Sequence, residues 1–185
     1  MDTLIRTTDW IQTFTGRMFY PLEPHPDDVD IIDIAHALSL TCRFTGHCRQ
    51  FYSVAQHSVH VAELVTELGH PELALTALLH DASEAYLADV ARPVKKSLPE
   101  IKAAEYVLDA IIAERFGLVH PFPEVIKKAD NILLLTEARD LMNTPPVTWK
   151  DYGESPLHWE IYPLQPADAE DEFLALFDAI RSGGD

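Results

Sequence analysis

The segment "PELALTALLHDASEAYLAD", residues 71–89, constrains this chain more than any other. It opens with Pro71, which suits the first turn of a helix, and it is apolar nearly all the way round. A helix without a polar face belongs at the centre of a fold, yet His80, Asp81, Glu84 and Asp89 sit in or beside this one. Burying an ionised carboxylate costs several kcal/mol or more unless it is paired or bound to a metal. The chain must therefore build partners for these side chains inside its core.

The remaining patterns are also helical. From Asp30, "DIIDIAHALSLTCR" carries apolar residues at helical spacing, with Asp30 or Asp33 as N-cap. "SVAQHSVHVAELVTEL" is capped by Ser53 and stopped by Gly69. "EIKAAEYVLDAIIAERFG", "FPEVIKKADNILLLTEARDLM" and the closing "DAEDEFLALFDAI" make three more helices. "RPVKKSLP" reads as a short broken segment, residues 17–29 with their three prolines as an extended loop, and 144–166 as irregular with room for one short strand. The expected class is all-α, a compact helical bundle, in one domain spanning residues 1–185.

Charge removes several functional classes. A formal net charge of −16 argues against a stable nucleic-acid partner or an anionic membrane surface, both of which need a basic footprint. No apolar run approaches the roughly 20 residues of a membrane span, and "MDTLIRTTDW" lacks the apolar core of a signal peptide. With Cys42 and Cys48 as the only cysteines, no disulfide framework is implied and a cytoplasmic location is expected. The cations cluster near the polar motifs, at Arg43 and Arg49, at Arg92, Lys95 and Lys96, and at Lys127 and Lys128, where they could serve a small anion or simply be solvated.

On the helix from Ser53, His57 shares the apolar stripe with Val54, Val61, Leu64 and Val65, whereas His60 falls with Gln56, Glu63 and Glu67. His57 is therefore expected to point inward and His60 outward. Alone, an inward histidine is more often a core residue bonded to a backbone carbonyl. Here His80 and Asp81 join it from the central segment, and Asp130, in line with Ile126, Leu133 and Leu134, from a third helix. Two imidazoles and two carboxylates from buried helix faces match the way bundle interiors build metal sites. Mixed nitrogen and oxygen ligands suit one divalent transition metal such as Mn, Co, Fe, Ni or Zn.

The blocks "SVAQHS", "LLHDASEAYLADV" and "KKADNILLLTEARDL" together resemble the HD-domain metal-dependent phosphohydrolases, with their H…HD…D signature. The resemblance runs from about residue 32 to 141 and is nearest to the small bacterial and phage branch related to 5′-deoxynucleotidases and deoxynucleoside triphosphohydrolases. It implies that His57, His80, Asp81 and Asp130 are metal ligands. It also implies that Glu84 is the general acid/base or positions the water, and that Asp89 contacts the sugar or the attacking water. Arg43 is implied to lie near a substrate phosphate, with His47 and Lys95 as lesser candidates for the same anion. Only His120 lies where two-metal relatives carry extra histidines, which points to a single metal.

The function implied is hydrolysis of a phosphate ester in a deoxynucleotide, in a protein that forms a homo-oligomer. Release of triphosphate from a deoxynucleoside triphosphate and a non-catalytic nucleotide sensor are the alternatives left open. Residues from Thr144 onward carry no chemistry assignable from sequence.

Overall fold

The computed structural model describes residues 6–147 and 153–183. Eight α-helices fill the described residues: α1 (Ile31–Leu40), α2 (Val54–Glu67), α3 (Ala74–Leu78), α4 (Glu84–Leu87), α5 (Arg92–Lys95), α6 (Pro99–Phe116), α7 (Glu124–Leu141) and α8 (Pro166–Ser182). Three short 3-10 turns cover Pro26–Asp28, Arg43–Gly46 and Pro71–Leu73. The strands are two residues each, β1 (Ile11–Gln12) and β2 (Met18–Phe19), paired antiparallel with Ile11 opposite Phe19. That hairpin lies before the helices, and among the described residues the segment 144–166 contains no strand.

Local chemistry sets the helix ends. Asp30, not Asp33, caps α1 by accepting from the Ile32 N–H. Asp33 is instead buried at 2% exposure and accepts from both the backbone and the hydroxyl of Thr15, tying the hairpin to α1. The Ser53 hydroxyl accepts from the Gln56 N–H at the start of α2. Gly117 ends α6 in the left-handed conformation, φ 72°, where a side chain would be strained.

The core is organised around α2, which packs against α1, α3, α7 and α8. Its fully buried Val54, Ala55, Val61 and Val65 share one core with Ile34 and Leu38 of α1, Leu78 and Leu79, Leu133 of α7 and Phe173 of α8. No helix of the described residues is long and apolar enough to cross a membrane.

The central segment differs from the continuous helix expected over 71–87. It is a 3-10 turn, the short helix α3, a run of tight turns from Leu79 to Ser83, and the short helix α4. Backbone N–H groups of Ala82 and Glu84 bond carbonyls three residues back, at Leu79 and Asp81. Adjacent residues on an α-helix project about 100° apart. Breaking the helix here lets the consecutive His80 and Asp81 side chains approach the same point.

Candidate metal centre

His57 on α2 is wholly buried, and its Nδ1 lies 2.6 Å from Oε1 of Glu137 on α7. A carboxylate only accepts, so Nδ1 carries a proton, and in the neutral ring Nε2 keeps its lone pair. His80 repeats the arrangement with a different acceptor: its Nδ1 lies 2.8 Å from the Ala77 carbonyl oxygen. Both Nε2 atoms are buried and make no hydrogen bond.

Both Nε2 atoms face carboxylates. Oδ2 of Asp81 lies 3.6 Å from His57 Nε2 and 3.3 Å from His80 Nε2, and Oδ1 of Asp130 lies 3.5 Å from His57 Nε2. Donor atoms of His57, His80 and Asp130 all fall within 4.8 Å of one another, so this buried group could hold a metal ion. In the neutral rings, two buried imidazole nitrogens without a hydrogen bond would each cost free energy, and a bound cation would give both a partner.

Electrostatics around the cluster are strongly coupled. Burial opposes ionisation of Asp81 and Asp130, but the nearby imidazoles outweigh it and hold both carboxyls below their ordinary range. Burial likewise opposes charging of His80, while Asp81 and Asp130 raise it. The second oxygen of Asp130 is held by Arg92 at 2.8 Å and Lys127 at 2.5 Å, leaving Oδ1 toward the histidines.

A cavity of about 220 Å³ opens beside the cluster, lined by His80, Asp81, Ser83, Glu84, Lys95, Glu105, Asp109, Phe122, Ile126, Lys127 and Asp130. Glu84 is 7% exposed; Oε1 accepts from Lys95 at 3.3 Å, while Oε2 is buried and unpartnered. Burial, then Asp81 and Asp89, push its carboxyl well above the usual range. Asp89 is half-buried and raised by burial, with Arg43 opposing and Asp81 reinforcing.

The three residues expected to meet an anion lie in different surroundings. Arg43 is 8% exposed, with Nε 3.0 Å from Glu137 Oε2 and one terminal nitrogen 3.6 Å from Asp81 Oδ2. Burial disfavours its charge, yet Glu137, Asp81 and Asp130 hold the guanidinium protonated. Lys95 bridges Glu84 and Glu105, at 3.3 and 2.6 Å. His47 is exposed at the end of the 43–46 turn, and among the described residues no side-chain contact joins it to the cluster.

Two acidic residues escaped sequence reasoning. Glu137, 0% exposed, stands two turns beyond Asp130 on one face of α7; it falls within the "KKADNILLLTEARDL" block, which drew no role for it. Asp109 of α6 sits in a helix whose polar and apolar positions look ordinary, and burial pushes its carboxyl up to about 7.

His60 also departs from expectation. It is largely enclosed, with Nδ1 3.1 Å from the Tyr52 hydroxyl and its ring edge-on to Trp159. The Trp159–Tyr162 stretch covers it because Gln56 donates to the Tyr162 carbonyl and accepts from the Leu164 N–H. Thr136, Arg139 and Asp140 of α7 hold the same segment through Leu157, Trp159 and Ile161. A larger open groove of about 380 Å³ lies between α2 and this stretch, but none of the cluster residues lines it.

No family model matches the chain. It is 41% identical over 173 residues to the uncharacterized protein YfdR of Escherichia coli (strain K12), covering 92% of this chain and 95% of that protein. It is 38% identical over 127 residues to the uncharacterized protein RCAP_rcc00048 of Rhodobacter capsulatus, covering 65% of this chain and 64% of that one. With almost the whole of both chains aligned at the first of these identities, the chain belongs to the family of YfdR.

Proposed function

We propose that this protein is a metal-dependent phosphohydrolase of the HD type acting on nucleotides, and that it hydrolyses the phosphate ester of a deoxynucleoside monophosphate. The observation that carries the reading is the pair of buried, unpartnered Nε2 atoms of His57 and His80 converging with Asp81 and Asp130. Those four side chains would hold one divalent ion of the Mn, Co, Fe, Ni or Zn class. Bound there, such an ion acidifies a water and polarises a phosphoryl oxygen.

The protein's own groups supply the rest. Water adds its oxygen to phosphorus, the P–O bond to the sugar breaks, and the departing oxygen takes a proton to give nucleoside and inorganic phosphate. Glu84 faces the same cavity with one free oxygen and an upward-shifted carboxyl, which suits a group that manages that proton. Lys95 fixes its other oxygen. Asp89, raised by burial and next in the electrostatic chain, fits a contact to the sugar or the water.

Chromatographic product analysis tests this. Protein loaded with Mn, Co or Zn is incubated with deoxy- and ribonucleoside mono- and triphosphates. Nucleoside plus phosphate from monophosphates is the expected result, and Glu84→Ala should abolish it while sparing metal binding. Intact triphosphate from deoxynucleoside triphosphates would replace the substrate assignment. Nucleotide binding without product under any metal would replace the enzyme with a sensor.

A further inference from the structure

Glu137 is fully enclosed, and neither of its oxygens faces the cavity. An ionised carboxylate is expensive to bury, and here His57 Nδ1 lies 2.6 Å from Oε1 and Arg43 Nε 3.0 Å from Oε2, with the Tyr52 hydroxyl also beside the carboxylate. Arg43 is itself pinned, its N–H donating to the Tyr52 carbonyl and its carbonyl accepting from the Cys48 thiol. Its guanidinium lies over the Phe44 ring at 5.5 Å.

We infer that Glu137 is a positioning residue for the metal centre, fixing His57 in the tautomer that turns the Nε2 lone pair toward Asp81, Asp130 and His80, and that buried Arg43 serves as the counter-ion of Glu137. The inference rests on the proposed reading only in taking His57 as a metal ligand. A carboxylate behind a ligating histidine fixes ring orientation and raises ligand basicity. Asp130 and Glu137 leave α7 at i and i+7, so one rigid helix sets a metal-facing oxygen and the support of the facing histidine together. The sequence expectation gave Arg43 to a substrate phosphate; its Nε is committed to a carboxylate that the cavity does not reach.

The test is Glu137→Gln. A carboxamide offers one acceptor oxygen where the carboxylate offers two, so either Arg43 or His57 loses its acceptor. If the amide nitrogen turns toward His57, the imidazole must accept at Nδ1 and place its proton on Nε2. Titration of metal-stripped protein with Mn alone, followed calorimetrically, should show binding ten- to a hundredfold weaker than wild type. The 15N shifts of His57 in the metal-free protein at alkaline pH should move from the Nδ1–H toward the Nε2–H form.

The double variant Arg43→Met/Glu137→Gln removes the guanidinium donor and the buried charge pair together. It should bind Mn within about tenfold of wild type, which also decides the matter if the single variant does not fold. Unchanged Mn affinity or an unchanged tautomer in Glu137→Gln, or a loss of more than about tenfold in the double variant, would overturn the inference. A wild-type protein that binds no divalent ion would instead overturn the metal reading and the inference with it.

Discussion

Asp109 offers a stability prediction that depends on the cavity rather than on turnover. Burial raises its carboxyl from the ordinary 3.8 to about 7, with Ser83 opposing by a hydrogen bond and Asp81 and Glu105 reinforcing. A folded-state pKa above the unfolded value means the native protein holds a proton that the unfolded chain has lost between those pH values. Folding is therefore penalised as pH rises from about 4 to 7. At about 1.4 kcal/mol per tenfold, the cost at neutral pH is about 4 kcal/mol. Asp109→Asn has nearly the shape of the protonated carboxyl and still offers Ser83 an acceptor, but it cannot ionise. Metal-stripped Asp109→Asn should melt roughly 10 °C above wild type at pH 7.5, and the gap should close near pH 4. Thermal unfolding of both proteins across that range is the assay. A gap that is absent at pH 7.5, or that does not change with pH, would refute the reasoning.

Other expectations concern the packing that holds the centre. His60 is lowered to about 4, first by burial and then by His57, so the native state resists protonation that the unfolded chain accepts below 6.5. Stability should fall by about 3 kcal/mol as pH drops from 6.5 to 4, and His60→Gln should flatten that limb in denaturant titrations. Leu78 is 0% exposed and lies two residues before His80. Leu78→Ala should cost about 2–5 kcal/mol in urea unfolding and weaken Mn binding in calorimetry as His80 loses its support.

Much of the helical framework was legible because caps and stops are local chemistry. Ser53 capping α2 and Gly117 closing α6 act through neighbouring backbone groups, so residue type and position announce them. The inward turn of His57 and Asp130 was equally readable, since each shares a stripe with buried aliphatic residues. What escaped depends on tertiary partners. The break after Leu78 carries no proline or glycine, and the segment looks like one helix until two consecutive polar residues must meet the same point. His60 reads as polar-face until Trp159 and its neighbours, held by Gln56 and α7, close over it. Glu137 was visible only as the glutamate of a helix, because its role comes from Arg43 and His57, far off in sequence.

A buried polar cluster that is one metal centre must bind one ion and lose it with a ligand. Calorimetric titration of metal-stripped protein with Mn tests it most directly, with Asp130→Ala as the comparison. One ion bound per chain in the wild type, and none at the same concentrations in the variant, is the predicted result. No binding in the wild type, or equal binding in both proteins, would contradict it.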